Sequence, residues 1–206
     1  MSIAENKSDE RILWLRFLKG DDQVLSLIYL QYSNLLFDYG CRFTADRNLV
    51  KDCIQEVFCT LIRTRKNLSE TDNIRLYLLK SLKRRILRDL KDSSTHTVLV
   101  NDKEYPFDLL LTNNIDDQMN ELDDEKRQLL SEAMLSLTDR QKEAIYLRFN
   151  RGLEYEEISF LLNLNYQSSR ALIHRAIGKL REIIHMHEKN VSQMLFSLIF
   201  PGKPVF

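Results

Sequence analysis

The stretch YEEISFLLNLNYQSSRALIH, from Tyr155 to His174, contains two helical patterns separated by one break. Tyr155 to Leu162 reads as a short helix, Asn163 to Asn165 as a turn, and Tyr166 to about His187 as a longer helix. Two helices joined this tightly need a small residue where they approach and a turn residue that tolerates positive φ. They also need apolar residues on the second helix that face the first. Ser159 is small, Asn163 occupies the turn, and Ile173, Ala176 and Ile177 are spaced to point inward. Asn adopts the left-handed region more readily than most non-glycine residues. The stretch therefore predicts a helix-turn-helix.

If the second helix lies in a major groove, its first turns present Gln167, Ser168, Arg170, Ala171 and His174. Arg is suited to guanine and Gln to adenine, because each matches the paired acceptors and donors on that base edge. Arg175, Lys179 and Arg181 follow where contacts with phosphate would fix register without reading sequence. A merely solvated face would also be charged. The turn geometry, the polar first turns and the trailing bases all fall on one helix, and that agreement favours DNA.

Upstream of this stretch, a helix from about Asp123 to Leu137 is followed by Thr138 with Gln141 three residues on, a capping box that opens the next helix. That helix should run to Arg151 and close on Gly152, which is free to adopt a left-handed conformation. Residues 123–187 thus read as a small helical domain. The tail, 188–206, is apolar from Met194 to Phe200 and then carries Pro201 and Pro204. It reads equally as a helix packed on this domain or as a surface for a partner.

The first half, 1–92, carries three amphipathic patterns: Leu25 to Phe43, Asn48 to Arg63 and Ile74 to Leu90. On the second, Leu49, Val50, Cys53, Val57, Thr60 and Leu61 share one face, leaving Asp52, Gln55, Glu56 and Cys59 as a polar stripe. Trp14, with Ile12, Leu13, Leu15, Phe17 and Leu18, reads as core. Between the halves, residues 93–122 have no sustained periodicity and read as a linker, with apolar clusters only at Val98 to Val100 and Phe107 to Leu111.

The formal net charge of zero conceals strong segregation. Arg75 to Lys91 holds seven bases, Arg75, Lys80, Lys83, Arg84, Arg85, Arg88 and Lys91, against Asp89 alone, for a net +6. Ser93 to Glu125 holds nine acids against Lys103, for a net −8. A basic helix is thus followed by an acidic connector, and the basic helix suits a nucleic-acid partner that the total would argue against.

With five Gly and three Pro in 206 residues, the chain has little material for strands and turns, so the expected fold is all-α: two small helical domains joined by an acidic linker. No apolar run approaches the roughly eighteen residues that cross a bilayer, and the polar, acidic N-terminus is unlike a signal peptide. The expectation is a cytoplasmic protein with no membrane insertion. Cys41, Cys53 and Cys59 lack the paired spacing of a zinc site and read as buried small hydrophobes. His185 and His187 stand two apart on a helix and cannot reach one ion, so no metal is expected. With no phosphate loop, triad or clustered carboxylate pair, the chain is expected to be no enzyme, with no cofactor and no small-molecule substrate.

The run Leu137, Thr138, Asp139, Arg140, Gln141, then Gly152 to Ile158, then Arg175, Ala176, Lys179, Leu180 and Arg181 resembles region four of extracytoplasmic-function sigma factors. Asp52 to Phe58 resembles the acidic-glutamine-acidic core of their region two. The sequence differs from the family pattern at Arg85, where Asn is common, at Glu154, where Ser or Thr usually caps the helix, and at Leu172, where a base is common.

The resemblance implies a subunit that binds core RNA polymerase, recognises promoter DNA and helps open it. Region two would dock on polymerase through Asp52, Gln55, Glu56 and Phe58. The loop from Thr64 to Asn73 and the helix carrying Arg75, Lys80, Lys83, Arg84, Arg85 and Arg88 would engage the downstream element around a flipped base, whose unstacking costs a few kcal/mol. Region four would read the upstream element through Gln167, Ser168, Arg170, Ala171, His174, Arg175 and Lys179. The acidic linker would thread polymerase channels built for nucleic acid, and an anti-sigma factor is a further partner of this class. Two other readings stay open: a stand-alone helix-turn-helix regulator, and a helical adaptor that binds only proteins. A regulator would be expected to hold a ligand pocket or dimer seam in its first half, not a polar stripe followed by a basic helix.

Overall fold

The computed structural model describes residues 3–93, 105–109 and 131–185, and every regular element among them is helical. The chain divides into two units, one ending at Val98 and the other beginning at Leu99. In the first, α1 (Ile3–Leu18), α2 (Asp22–Gly40), α3 (Arg47–Thr64) and α4 (Ile74–Ser93) form the bundle, with one 3-10 turn at Arg65–Asn67.

Each helix start has a local cause. The Asp21 carboxylate accepts from the Gln23 and Val24 amides at 3.2 and 3.4 Å, satisfying donors that have no partner within the helix. Arg16 bridges Asp21 at 2.7 Å, and that hydrogen bond, more than any other influence, holds the Asp21 carboxyl below its ordinary value. Asp46 caps α3 through the Asn48 and Leu49 amides at 3.0 and 3.1 Å. At α4, Asn73 accepts from the Leu76 amide at 2.8 Å, while Glu10 reaches across from α1 to accept from the Ile74 amide at 2.7 Å.

The buried rows follow helical spacing: Val24, Ile28, Tyr32 and Leu36 on α2; Val50, Cys53, Val57 and Leu61 on α3; Ile74, Leu78, Leu82 and Ile86 on α4. Gly40 ends α2 where α3 and α4 converge, and a Cβ there would stand 2.6 Å from Val50 Cγ1 and 3.2 Å from Ile86 Cδ1. Trp14 and Phe17 are fully buried, and the Trp14 indole donates to the Ser69 carbonyl at 2.9 Å.

The bundle has a fourth helix, α1, built on the apolar run around Trp14, but Ile12 in that run is exposed. Among the cysteines, Cys53 is buried, Cys41 is half-buried and Cys59 is exposed. Cys59 follows the polar stripe of α3 on which helical spacing had placed it, and its small apolar character does not override that geometry.

In the second unit, residues 131–135 are helical, followed by α5 (Asp139–Ile145), a wide π turn (Tyr146–Asn150), α6 (Tyr155–Leu161) and α7 (Tyr166–His185). The capping box is present: the Gln141 amide donates to Thr138 Oγ1 at 3.3 Å and the Thr138 amide to Gln141 Oε1 at 3.0 Å. Gly152 takes φ 67° and Asn163 φ 50°, as the two breaks in the pattern predicted. The helix expected to run unbroken to Arg151 widens after Ile145.

Residues 105–109 pack on this unit, with Tyr105, Phe107 and Leu109 buried. Phe107 lies 5.8 Å from the Tyr146 ring, and the Tyr105 hydroxyl donates to the Glu143 carboxylate. This strap comes from the stretch read as linker. Residues 94–104 and 110–130, His187 and the tail 188–206 lie outside the described residues.

Candidate nucleic-acid and protein interfaces

On α3, helical spacing places Asp52, Gln55 and Glu56 on one side, with Asp52 and Gln55 exposed. Glu56 is half-covered because two bases hold it: it pairs with Arg63 on its own helix, and Arg85 of α4 lies 3.9 Å away. Phe58 does not join the stripe. It is buried to 6% exposure and meets the edge of Tyr29 from α2 at 5.0 Å, so the exposed aromatic surface beside the stripe is Tyr29. Ile62, half-exposed one turn further along α3, extends that apolar surface.

The basic helix divides along its length. Asn73 caps α4, and Lys83 is buried at 6% exposure, with its ammonium 6.0 Å from the Phe43 ring. Arg75 and Lys80 are half-buried, whereas Arg84 and Arg88 are exposed. Arg84, Arg85 and Arg88 line a cleft of about 300 Å³ between α3 and α4, together with Tyr77, Ser81, Arg63 and the Glu56 carboxylate that Arg63 pairs with, so bases outnumber acids on its wall by four to one. Asp89 bonds Arg85 at 3.0 Å, which raises the guanidinium further above its ordinary value and orients it along the cleft wall.

Such a cleft, with four guanidinium groups and one aromatic ring, can hold a phosphate backbone and a base face together. Arg63 and Tyr77 join the bases expected from the sequence. Arg63 stood two helical turns after Glu56, a spacing that signals a shared face, but Tyr77 had no comparable signal.

In the second unit, the outward face of α7 carries Gln167, Arg170, Ala171, His174, Arg175 and Lys179, all exposed, with Ser168 partly covered. The Ser168 amide donates to Asn165 Oδ1 at 2.7 Å, so Asn165 caps the helix. Ile173 and Ala176 are buried, while Ile177 is only half-buried. The small residue at the helix crossing is Ser169, fully buried, whose hydroxyl lies 3.2 Å from the Tyr155 carbonyl and 2.8 Å from that of Tyr166. Ser159, expected in that place, is half-buried and bonds the Glu156 carbonyl of its own helix at 2.7 Å. Arg140 closes the other end of α6 by donating to the Leu162 carbonyl.

Glu154 precedes α6, and its amide donates to the Glu157 carboxylate at 2.8 Å. Arg148 then fixes the approach, bonding the Leu153 carbonyl at 2.9 Å and Glu154 at 2.8 Å. Glu therefore serves at a position where Ser or Thr is usual.

The fold is similar to that of CnrH, solved in complex with the cytosolic domain of CnrY, with a TM-score of 0.55 and 18% identity over 87% of this chain and 99% of that one. The sigma factor RpoE from Bartonella quintana, solved with the anti-sigma factor NepR, aligns at a TM-score of 0.48 and 17% identity over 82% and 99% of the two chains. No curated protein matches the sequence. The family model for sigma-70 region 2 matches residues 28–95, which hold α3 and α4, and that for sigma-70 region 4 matches residues 127–180, which hold the helix-turn-helix. With those two regions in order on one chain, the protein belongs to the sigma-70 family.

Proposed function

We propose that this sigma factor directs core RNA polymerase to promoters through three separate surfaces. The exposed side of α3, Asp52 and Gln55 with Tyr29 and Ile62 beside them, docks on the polymerase. The cleft of Arg63, Arg84, Arg85, Arg88 and Tyr77 holds the opened strand of the downstream element. The outward face of α7 reads the upstream element, Arg170 and Gln167 at base edges and Arg175 and Lys179 at phosphates.

The observation that carries this reading is the division of labour on the first unit. A polar and aromatic stripe on α3 adjoins a basic cleft on the α4 side, and a helix-turn-helix regulator acting without polymerase needs neither. The protein acts in the cytoplasm, where its polymerase and DNA partners are. It contributes binding and positioning, with no reaction of its own. CnrH and RpoE were each solved with a protein partner, and an anti-sigma factor covering one of these surfaces is the expected control.

The test is transcription in vitro with core polymerase on a genomic promoter library, alongside co-purification with core. Asp52→Lys is the cleaner docking variant, because Glu56→Lys also breaks the pairs with Arg63 and Arg85. Loss of co-purification with an unchanged melting profile is the expected result. Undiminished co-purification would remove α3 from the docking surface.

A further inference from the structure

Arg170 does not stand alone on α7. Its guanidinium lies 5.8 Å from the centre of the Tyr166 ring and 5.9 Å from that of Tyr155, and these two rings meet edge to face at 6.0 Å. Tyr166 opens α7 and Tyr155 opens α6, so the pair spans the helix-turn-helix. The backbone under both rings is tied down, and the Tyr155 ring has a second contact. The Ser169 hydroxyl lies within hydrogen-bonding distance of the carbonyls of both tyrosines, and Arg148 packs over Tyr155 at 4.8 Å.

We infer that Tyr155 and Tyr166 are positioning residues for base recognition: together they hold the Arg170 guanidinium at the mouth of the recognition helix and so set how sharply it discriminates among bases. The inference rests on reading α7 as the helix that enters the major groove. An exposed arginine must give up much of its rotamer freedom to make the paired contact with a guanine edge, and that loss weakens the right contact without weakening the wrong ones. A guanidinium already attracted to two ring faces has lost part of that freedom before DNA arrives. The attraction is to the ring, not the hydroxyl, so phenylalanine should serve as well as tyrosine.

The experiment uses holoenzyme and a duplex library randomised across the upstream element, with bound and transcribed molecules sequenced. Arg170→Ala identifies the position that Arg170 reads, as the position where base preference collapses. Tyr155→Leu and Tyr166→Leu are expected to lower preference at that same position by about two- to fivefold each, with other positions unchanged. Tyr155→Phe and Tyr166→Phe should keep wild-type preference. In the Arg170→Ala background the leucine variants should do nothing further.

Leucine variants that keep full preference at the Arg170 position would overturn the inference, as would an equal loss at every position, which marks a merely structural role. If Arg170→Ala itself changes no single position, the reading of α7 fails first, and the cradle fails with it.

Discussion

Tyr105 donates its hydroxyl hydrogen to the carboxylate of Glu143, a side chain with no exposed surface, and so ties a stretch of acidic sequence to the first turns of α5. Burial first, and the Glu143 carboxylate second, push the Tyr105 phenol well above its ordinary value, so it remains a donor at any physiological pH. A buried carboxylate that loses such a donor is more costly than an ordinary missing hydrogen bond.

Tyr105→Phe should therefore destabilise the second unit by about 1–3 kcal/mol. Trp14, the chain's single tryptophan, lies in the first unit and provides an internal control. The expected outcome is an earlier loss of helical circular dichroism on denaturation with an unchanged Trp14 fluorescence midpoint. Equal shifts in both signals would show that Tyr105 does not act on the second unit alone.

Glu10→Ala tests the first unit in the same way. Glu10 accepts from the Ile74 amide and pairs with Tyr32, whose phenol is pushed upward by its burial and then by Glu10. Removing the carboxylate leaves Asn73 as the cap of α4 but takes the acceptor from the buried Ile74 amide and from the Tyr32 hydroxyl hydrogen, at a cost of about 2 kcal/mol. Here the Trp14 midpoint should move to lower denaturant.

Gly40→Ala is expected to cost about 1–3 kcal/mol, because the new methyl would stand 2.6 Å from Val50 Cγ1 on α3 and 3.2 Å from Ile86 Cδ1 on α4. Restored stability in Gly40→Ala combined with Val50→Ala would confirm that the close approach is the cause. A neutral Gly40→Ala would contradict the packing described.

Thiol alkylation should separate the three cysteines. Cys59 is exposed and should react first. Burial, then the hydrogen bond to Asp89, push the Cys53 thiol up to about 12 from an ordinary 9.0. The fold thus favours the neutral thiol. Its contribution to stability is complete below pH 9.0 and disappears as pH rises towards about 12. At mildly alkaline pH, peptide mass mapping should find Cys59 modified and Cys53 protected until the protein unfolds.

Features set by neighbours in the chain were legible in advance. Thr138 with Gln141, Gly152 and Asn163 all behave as their local pattern predicts, because caps and positive-φ turns depend on a few adjacent residues. Features that depend on distant partners were not. Lys83 counted as one base among seven, but spacing alone does not show that helical rotation places it over Phe43. Ser159 and Ser169 were indistinguishable as small residues until the crossing point of α6 and α7 was known. The apolar cluster from Phe107 to Leu111 stood out within its acidic surroundings, but without helical periodicity nothing showed that it, or Tyr105 beside it, belongs to the core of a helical unit.

The strap also changes where the second unit can be cut. The match to sigma-70 region 4 begins at residue 127, yet the core of the unit takes Tyr105, Phe107 and Leu109 from upstream of that bound. A fragment starting at residue 127 would lack the hydroxyl that donates to Glu143 and the ring that meets Tyr146, so a module excised at the family boundary would be less stable than the same module carrying its strap.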